Sequence, residues 1–136
     1  MHSMAADNTE TIRAIYERWA QGDFSAGPEH FDPNLVFIMR PEFPDSGTYL
    51  GPEQVAGYMR IFLEPWEWIT IEATELIEAG DSVVAAVTQR GLGIASQVEV
   101  EFSYFNVWTF RGPAIIRFET FREREEALTA VGLTER

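Results

Sequence analysis

The sequence predicts one α+β domain in which helices come first and an antiparallel sheet follows. Two helical patterns lie in the first half of the 136-residue chain, and four strand patterns joined by short turns fill most of the second half. This order of elements predicts helices packed on one face of a curved sheet. The chain is long enough for a single domain, residues 1–136, that buries a core of its own.

Apolar residues at helical spacing predict the two larger helices. Asp7 and Glu10 have the spacing of a capping box, so the first helix is expected to begin there, and residues 1–6 to be disordered. Its apolar face, which ends at Gly22, consists of Ile12, Ile15, Tyr16, Trp19 and Ala20. Pro52 suits the first turn of the second helix, and Pro65 ends it. The apolar face of this helix consists of Val55, Tyr58, Met59 and Phe62.

Shorter periods predict the strands. The apolar run 35–39 predicts a first strand, and a proline-containing loop from Pro41 through Pro44 to Gly51 follows it. Alternation then predicts four consecutive strands at residues 68–78, 83–92, 98–110 and 114–121, with a hairpin turn at Gly80 and Asp81. A short helix that starts near Arg122 and ends at Gly132 completes the chain.

One predicted strand has two apolar faces. From Phe102 to Phe110 both sets of alternating side chains are largely apolar, and the helices can cover only one of them. A second subunit is the simplest cover for the other set, so we expect a homodimer through the outer sheet face. The alternative is an aromatic-rich core strand with only one face fully buried.

Composition argues against several classes of function. A formal net charge of −12 with ten basic residues opposes binding to nucleic acid or to an anionic membrane. No apolar run approaches the roughly 18 residues of a membrane span, and no signal peptide is visible. The absence of cysteine is consistent with a cytoplasmic location. His2 and His30 are the two histidines, so neither a metal site nor a catalytic histidine is expected.

Six short segments carry a resemblance to a known family. They are 16–23 (YERWAQGD), 31–36 (FDPNLV), 49–53 (YLGPE), 78–84 (EAGDSVV), 107–110 (VWTF) and 124–128 (REEAL). Their order and spacing resemble the SnoaL-like group of the nuclear-transport-factor-2-like superfamily over nearly the whole chain. The resemblance implies a cone-shaped, curved antiparallel or mixed sheet wrapped around three N-terminal helices, with a short C-terminal helix. It also implies a pocket at the wide end of the cone.

The resemblance also implies which residues form the pocket. Glu119 matches the position where cyclase and epoxide hydrolase relatives place a pocket aspartate, and Arg90 matches an arginine that pairs with such acids. We therefore expect Glu119 and Arg90 to be catalytic. Arg117 would share the face of Glu119 because side chains two apart on a strand point the same way. The expected ligand-binding residues are Arg117, Tyr104, Asn106, Phe37, Met39, Leu92 and Phe102.

Glu119 is the expected acid or base, because an apolar cavity raises the pKa of a carboxyl group. The alternative is a structural salt bridge from Glu119 to Arg90 or Arg117. Phe37, Met39 and Leu92 stand where ketosteroid isomerases and epoxide hydrolases need polar groups, so these two reactions are disfavoured.

Two hypotheses therefore follow from the sequence. One is a cofactor-independent lyase, isomerase or cyclase acting on a small hydrophobic, oxygenated molecule. The other is a non-catalytic module that binds a small apolar carboxylate or dimerises.

Overall fold

The fold is described by a computed structural model that covers residues 4–40 and 46–133. Its helices are α1 (Met4–Trp19), α2 (Gly51–Leu63) and α3 (Arg124–Ala130), with one 3-10 turn at Pro28–His30. Its strands are β1 (Phe31–Met39), β2 (Gly47–Leu50), β3 (Trp66–Ala79), β4 (Ser82–Gly93), β5 (Glu99–Arg111) and β6 (Ala114–Phe121). Within these residues no helix has the length and apolar character that crossing a membrane requires.

All six strands form one mixed, curved sheet in the order β2-β1-β6-β5-β4-β3. β3 to β6 make the antiparallel meander that the alternation predicts. β1 lies beside β6 in parallel and β2 pairs antiparallel with β1, so the sheet extends past the meander and stays open at both edges. The predicted α+β class with a curved mixed sheet is confirmed.

Several boundaries differ from the sequence prediction. α1 begins at Met4, so residues 4–6 are helical; residues 1–3 lie outside the described part of the chain. Glu10 bonds Arg13 at 3.0 Å and does not complete a capping box. β1 begins at Phe31, four residues before the predicted start, and its pairing with β6 shifts register before Val36.

The loop predicted between Pro41 and Gly51 contains β2, which pairs with the edge of β1. Pro41 and Pro44 lie outside the described residues. Four residues are too few for the alternation of a sheet strand to stand out, so the sequence pattern gave no signal for β2.

The main core lies between α1, α2 and the concave face of the sheet. Trp108 is fully buried at its centre, and its ring meets Tyr16 edge-on and Trp19 at a tilt. The Tyr16 hydroxyl accepts hydrogen bonds from the Trp108 indole and the Asn106 amide nitrogen, both at 2.9 Å. These buried bonds hold α1 in register on β5, because a slip of the helix would leave both donors unpaired.

The third helix packs on the opposite face of the sheet. Ala127 of α3 lies against Val84, Val107 and Phe121, which form a second small core. The two helices that precede the meander pack on one face, as expected, and α3 packs on the other. It follows that part of the apolar face assigned to a second subunit is covered within the same chain. Dimerisation through the remainder of this face stays a prediction.

Candidate functional site

A cavity of about 220 Å³ lies on the concave side of the sheet, under α2. Met59, Ile61 and Phe62 of α2 line it from one side. Met59 and Phe62 belong to the stripe of apolar side chains, three or four positions apart, that the helix directs toward the sheet, whereas Ile61 lies beside that stripe and is exposed. Val55 and Tyr58 anchor the same stripe in the core.

Aromatic rings form the floor of the cavity. Phe37 of β1 and Phe118 of β6 are direct neighbours in the parallel pairing, and their rings stack 4.3 Å apart at 11°. Tyr58 of α2 approaches Phe37 with its ring centre 5.5 Å away. Flat aromatic walls of this kind favour a ring-containing or otherwise planar apolar molecule.

The cavity reaches the surface at one end. Ile61 and Phe102 both line it and are 61% and 43% exposed, so they mark its mouth. Trp66 forms part of the wall near this end, and its indole lies over Gly91 of β4. A Cβ atom at Gly91 would lie 2.6 Å from the Trp66 ring, which is too close for two carbon atoms. Glycine at this position therefore allows the indole to pack directly on the backbone of β4.

Five neutral side chains that carry a phenol, amide or hydroxyl group interrupt the apolar lining: Tyr58, Gln89, Tyr104, Asn106 and Thr120. The Tyr104 hydroxyl donates a hydrogen bond of 2.7 Å to Oε1 of Gln89. Burial, followed by the nearby Tyr16 and Tyr58 phenols, raises the pKa of Tyr104 well above its usual value. Tyr104 therefore keeps its proton and continues to donate it to the Gln89 carbonyl at neutral pH.

Asn106 is held from the side of α1. Its amide nitrogen donates to the Tyr16 hydroxyl, whose pKa burial raises, while its Oδ1 atom has no hydrogen-bond partner in the described structure. An unpaired buried acceptor costs about 1–3 kcal/mol, so a donor brought to this atom would stabilise the site. Thr120 lies directly across from Asn106 on β6, and its hydroxyl accepts the backbone N–H of Arg40 at 3.4 Å.

The structure brings five of the predicted site residues together on the cavity. They are Phe37, Met39, Phe102, Tyr104 and Asn106. Tyr104 and Asn106 alternate with the residues of the outer face, and the predicted orientation of β5 is therefore correct.

The other four predicted residues, Arg90, Leu92, Arg117 and Glu119, do not line the cavity. Arg90 bonds Glu101 at 2.6 Å on the exposed face of the meander. Glu119 bonds Arg117 at 3.2 Å and Arg40 at 3.4 Å. These four residues therefore lie outside the cavity, contrary to the expectation from the sequence. The ion pair of Glu119 with Arg117 matches the alternative that Glu119 forms a structural salt bridge.

The predicted inward-facing positions on β4 and β6 differ by one residue from those in the structure. Asn106 pairs with Thr120, whereas Glu119 pairs with Val107 of the outer face. Because side chains alternate, an error of one position transfers a whole set of residues to the other face. The inward positions are Gln89 where Arg90 was expected, and Phe118 and Thr120 where Arg117 and Glu119 were expected.

A signal for Gln89 and Thr120 was present in the sequence. Along β4 the buried positions Val83, Ala85 and Val87 lead to Gln89 by steps of two, so a polar residue continues an apolar series. Along β6 the charged pair Arg117 and Glu119 alternates with buried Phe118. Alternating charges of this kind are typical of a solvent-facing strand surface.

The electrostatics of the cavity follow from this lining. Among the described residues that line it, none is Asp, Glu, Lys, Arg or His. Across residues 4–40 and 46–133, no three side chains of the types His, Cys, Asp and Glu converge as metal ligands. The site can therefore desolvate an apolar molecule and offer it neutral hydrogen-bonding groups.

Comparisons with known proteins agree with this fold. A family model described as SnoaL-like domain matches residues 12–118. No curated protein matches the chain in sequence.

Three solved structures illustrate the fold similarity. A nuclear-transport-factor-2-like protein of unknown function from Burkholderia pseudomallei is 20% identical, with a TM-score of 0.74 over 96% of this chain and 98% of that chain. A putative SnoaL-like polyketide cyclase from Jannaschia sp. is 15% identical, with a TM-score of 0.74 over 99% of this chain and 98% of that one. A putative hydroxylase from Streptomyces galilaeus is 14% identical, with a TM-score of 0.72 over 96% and 98%. At these identities the likeness concerns the fold.

Proposed function

Because the chain belongs to the family of SnoaL-like domains, we propose that it uses the pocket of that fold to bind a small, mainly apolar molecule. The observation that carries this proposal is the cavity of about 220 Å³, which is walled by aromatic side chains and opens beside Ile61 and Phe102. An engineered cavity of about 150 Å³ in another protein is large enough to bind benzene. The available space therefore suits a molecule of one or two rings.

Catalysis by a carboxylate has less support. Polyketide cyclisation and hydroxylation are named for two of the similar structures, and they are the enzymatic alternatives for this chain. General acid–base catalysis needs a group that exchanges its proton near the working pH. Among the described lining residues the titratable groups are the phenols of Tyr58 and Tyr104, and the pKa of Tyr104 is raised well above its usual value. Binding without proton transfer by Glu119 is the simpler function.

A pair of matched variants tests the binding proposal. Met59 lines the cavity and its neighbour Arg60 is exposed on α2, so an indole introduced at each position differs mainly in where it points. We expect ethylbenzene, titrated into the ¹⁵N-labelled protein, to give saturable NMR shifts around the cavity. Met59→Trp should weaken this binding at least about tenfold by filling the space, while Arg60→Trp should leave it unchanged.

Two results would contradict the proposal. One is the absence of saturable shifts in the wild-type protein. The other is equal affinity in Met59→Trp and wild type while both remain folded by circular dichroism, because ethylbenzene would then bind elsewhere.

A homodimer through the outer sheet face is a separate proposal. α3 already covers Val107 and Phe121, so the contact would use the rest of that face, where Arg90 and Arg117 lie. Sedimentation equilibrium should give twice the monomer mass of 15.5 kDa if the dimer forms, and the monomer mass if it does not.

A further inference from the structure

The Gln89 amide is the best-placed polar group for recognising a ligand. Gln89 lines the cavity and is only 3% exposed. Its Oε1 accepts the Tyr104 hydroxyl, and this is the hydrogen bond that the Gln89 side chain makes among the described residues. In this part of the chain the fully buried side-chain polar atom without a partner is Oδ1 of Asn106, so the Gln89 nitrogen keeps accessible surface and can donate to an acceptor atom that a molecule brings into the cavity.

Tyr104 fixes which end of the amide is offered. The phenol keeps its proton because burial raises its pKa well above the usual value, and it donates that proton to the Gln89 carbonyl over 2.7 Å. The carbonyl end is thereby occupied, and the N–H end remains for the ligand. Tyr104 therefore acts as a positioning residue for Gln89.

The lining also determines the charge that a ligand can carry. A carboxylate entering the cavity would lose its hydration and meet no cation among the described lining residues. The net charge of −12 would further repel an anion on approach. A ketone or ester oxygen, in contrast, accepts a hydrogen bond from an amide at little desolvation cost.

From these observations we infer that Gln89 selects an uncharged ligand with a carbonyl-type oxygen, which accepts the Gln89 N–H while aromatic walls hold the apolar remainder. This inference rests on the proposed binding function and specifies its ligand class. It replaces the apolar carboxylate, which the sequence had suggested for the binding module, with a neutral acceptor.

Three probes with the same ring separate the contributions. Acetophenone has the acceptor oxygen, ethylbenzene has a similar shape without it, and benzoate has acceptors with a negative charge. Binding is measured at pH 7.5 by NMR titration, with the Gln89 side-chain amide signal as the local reporter. We expect acetophenone to bind about three- to tenfold tighter than ethylbenzene, and benzoate at least about 100-fold more weakly than acetophenone.

Gln89→Met and Thr88→Met form the matched variants. Both place the same side chain on β4, but Thr88 lies on the outer face, where its hydroxyl pairs with Ser103. Gln89→Met removes the acceptor of the Tyr104 hydroxyl and leaves that hydroxyl to donate to a ketone, so the double variant Gln89→Met/Tyr104→Phe is the decisive one. It should reduce the preference for acetophenone over ethylbenzene to about one, whereas Thr88→Met should retain it.

The outcomes distinguish selection by Gln89 from the proposed binding function itself. If none of the three probes binds, the proposed function fails. If ethylbenzene binds as tightly as acetophenone, or benzoate binds more tightly than either, the cavity binds ligands but the selection by Gln89 is wrong. A preference for acetophenone that survives in Gln89→Met/Tyr104→Phe would likewise overturn it.

Discussion

Replacing Gly91 with alanine should destabilise the protein because the new methyl group would strike the wall of the cavity. A Cβ atom there would lie 2.6 Å and 2.8 Å from two carbons of the Trp66 indole and 3.2 Å from the Trp68 carbonyl oxygen. Carbon atoms in contact normally lie about 3.5–4.0 Å apart, so the indole must move by about 1 Å. Trp66 lines the cavity mouth, so the same movement should also weaken ligand binding.

The expected magnitude combines two opposing effects. Overpacking of a well-packed site costs about 1–3 kcal/mol, and replacing glycine by alanine recovers up to about 1 kcal/mol through the unfolded chain. The net loss should be about 1–2 kcal/mol in the free energy of unfolding. For a chain of this length that corresponds to a fall of roughly 3–8 °C in melting temperature.

Urea unfolding followed by circular dichroism measures this change, with Gly57→Ala as the control. Gly57 lies inside α2, where a Cβ would meet Arg60 at an ordinary 3.7 Å. That variant should gain about 0.5–1 kcal/mol from helix propensity. If Gly91→Ala were as stable as the wild type, or gained as much as Gly57→Ala, the packing of Trp66 on Gly91 would be refuted.

Three further predictions address the ion pair, the buried phenol and the outer core. Glu119→Gln should leave acetophenone affinity within about twofold, because Glu119 pairs with Arg117 and Arg40 outside the cavity, and it should cost about 1–2 kcal/mol because the carboxylate is largely buried. Abolished binding would restore its predicted role. Folded Tyr104 has a raised pKa, so above about pH 10 the unfolded chain releases a proton that the folded chain retains, and stability should fall by up to about 1.4 kcal/mol per pH unit. Tyr104→Phe should lessen that alkaline loss in urea titrations, and an identical pH profile would contradict the assignment. Ala127→Asp should lower the free energy of unfolding by more than about 3 kcal/mol, because it buries a charge under α3. Thr129→Asp, at an exposed position of the same helix, should lower it by less than about 0.5 kcal/mol. Equal stabilities of the two variants would show that α3 does not cover the sheet.

The sequence predicted the fold well because periodicity and turn chemistry are local. The apolar stripe from Ile12 to Trp19 and the Pro52 start of α2 needed no knowledge of distant residues. The meander followed in the same way from alternation and turns. The parallel contact of β1 with β6 is different, because it joins residues about 80 positions apart that no local pattern connects.

The candidate site was predicted only in part for a related reason. On β5 both faces are apolar, and the family resemblance placed Phe102, Tyr104 and Asn106 on the inward face, where they line the cavity. On β4 and β6 the prediction followed chemically attractive charges, and these lie on the other face of each strand. A cavity can hold Gln89 and Thr120 because neutral groups cost less to bury than ions do.

A crystal structure with bound 4′-bromoacetophenone tests most directly which face of the sheet carries the site, because the anomalous signal of bromine locates the ligand. We predict that the bromine lies inside the aromatic walls near Phe118, with the ketone oxygen within hydrogen-bonding distance of the Gln89 amide nitrogen. Bromine density beside Arg117 and Glu119, with an empty cavity, would contradict both the site and the proposed function.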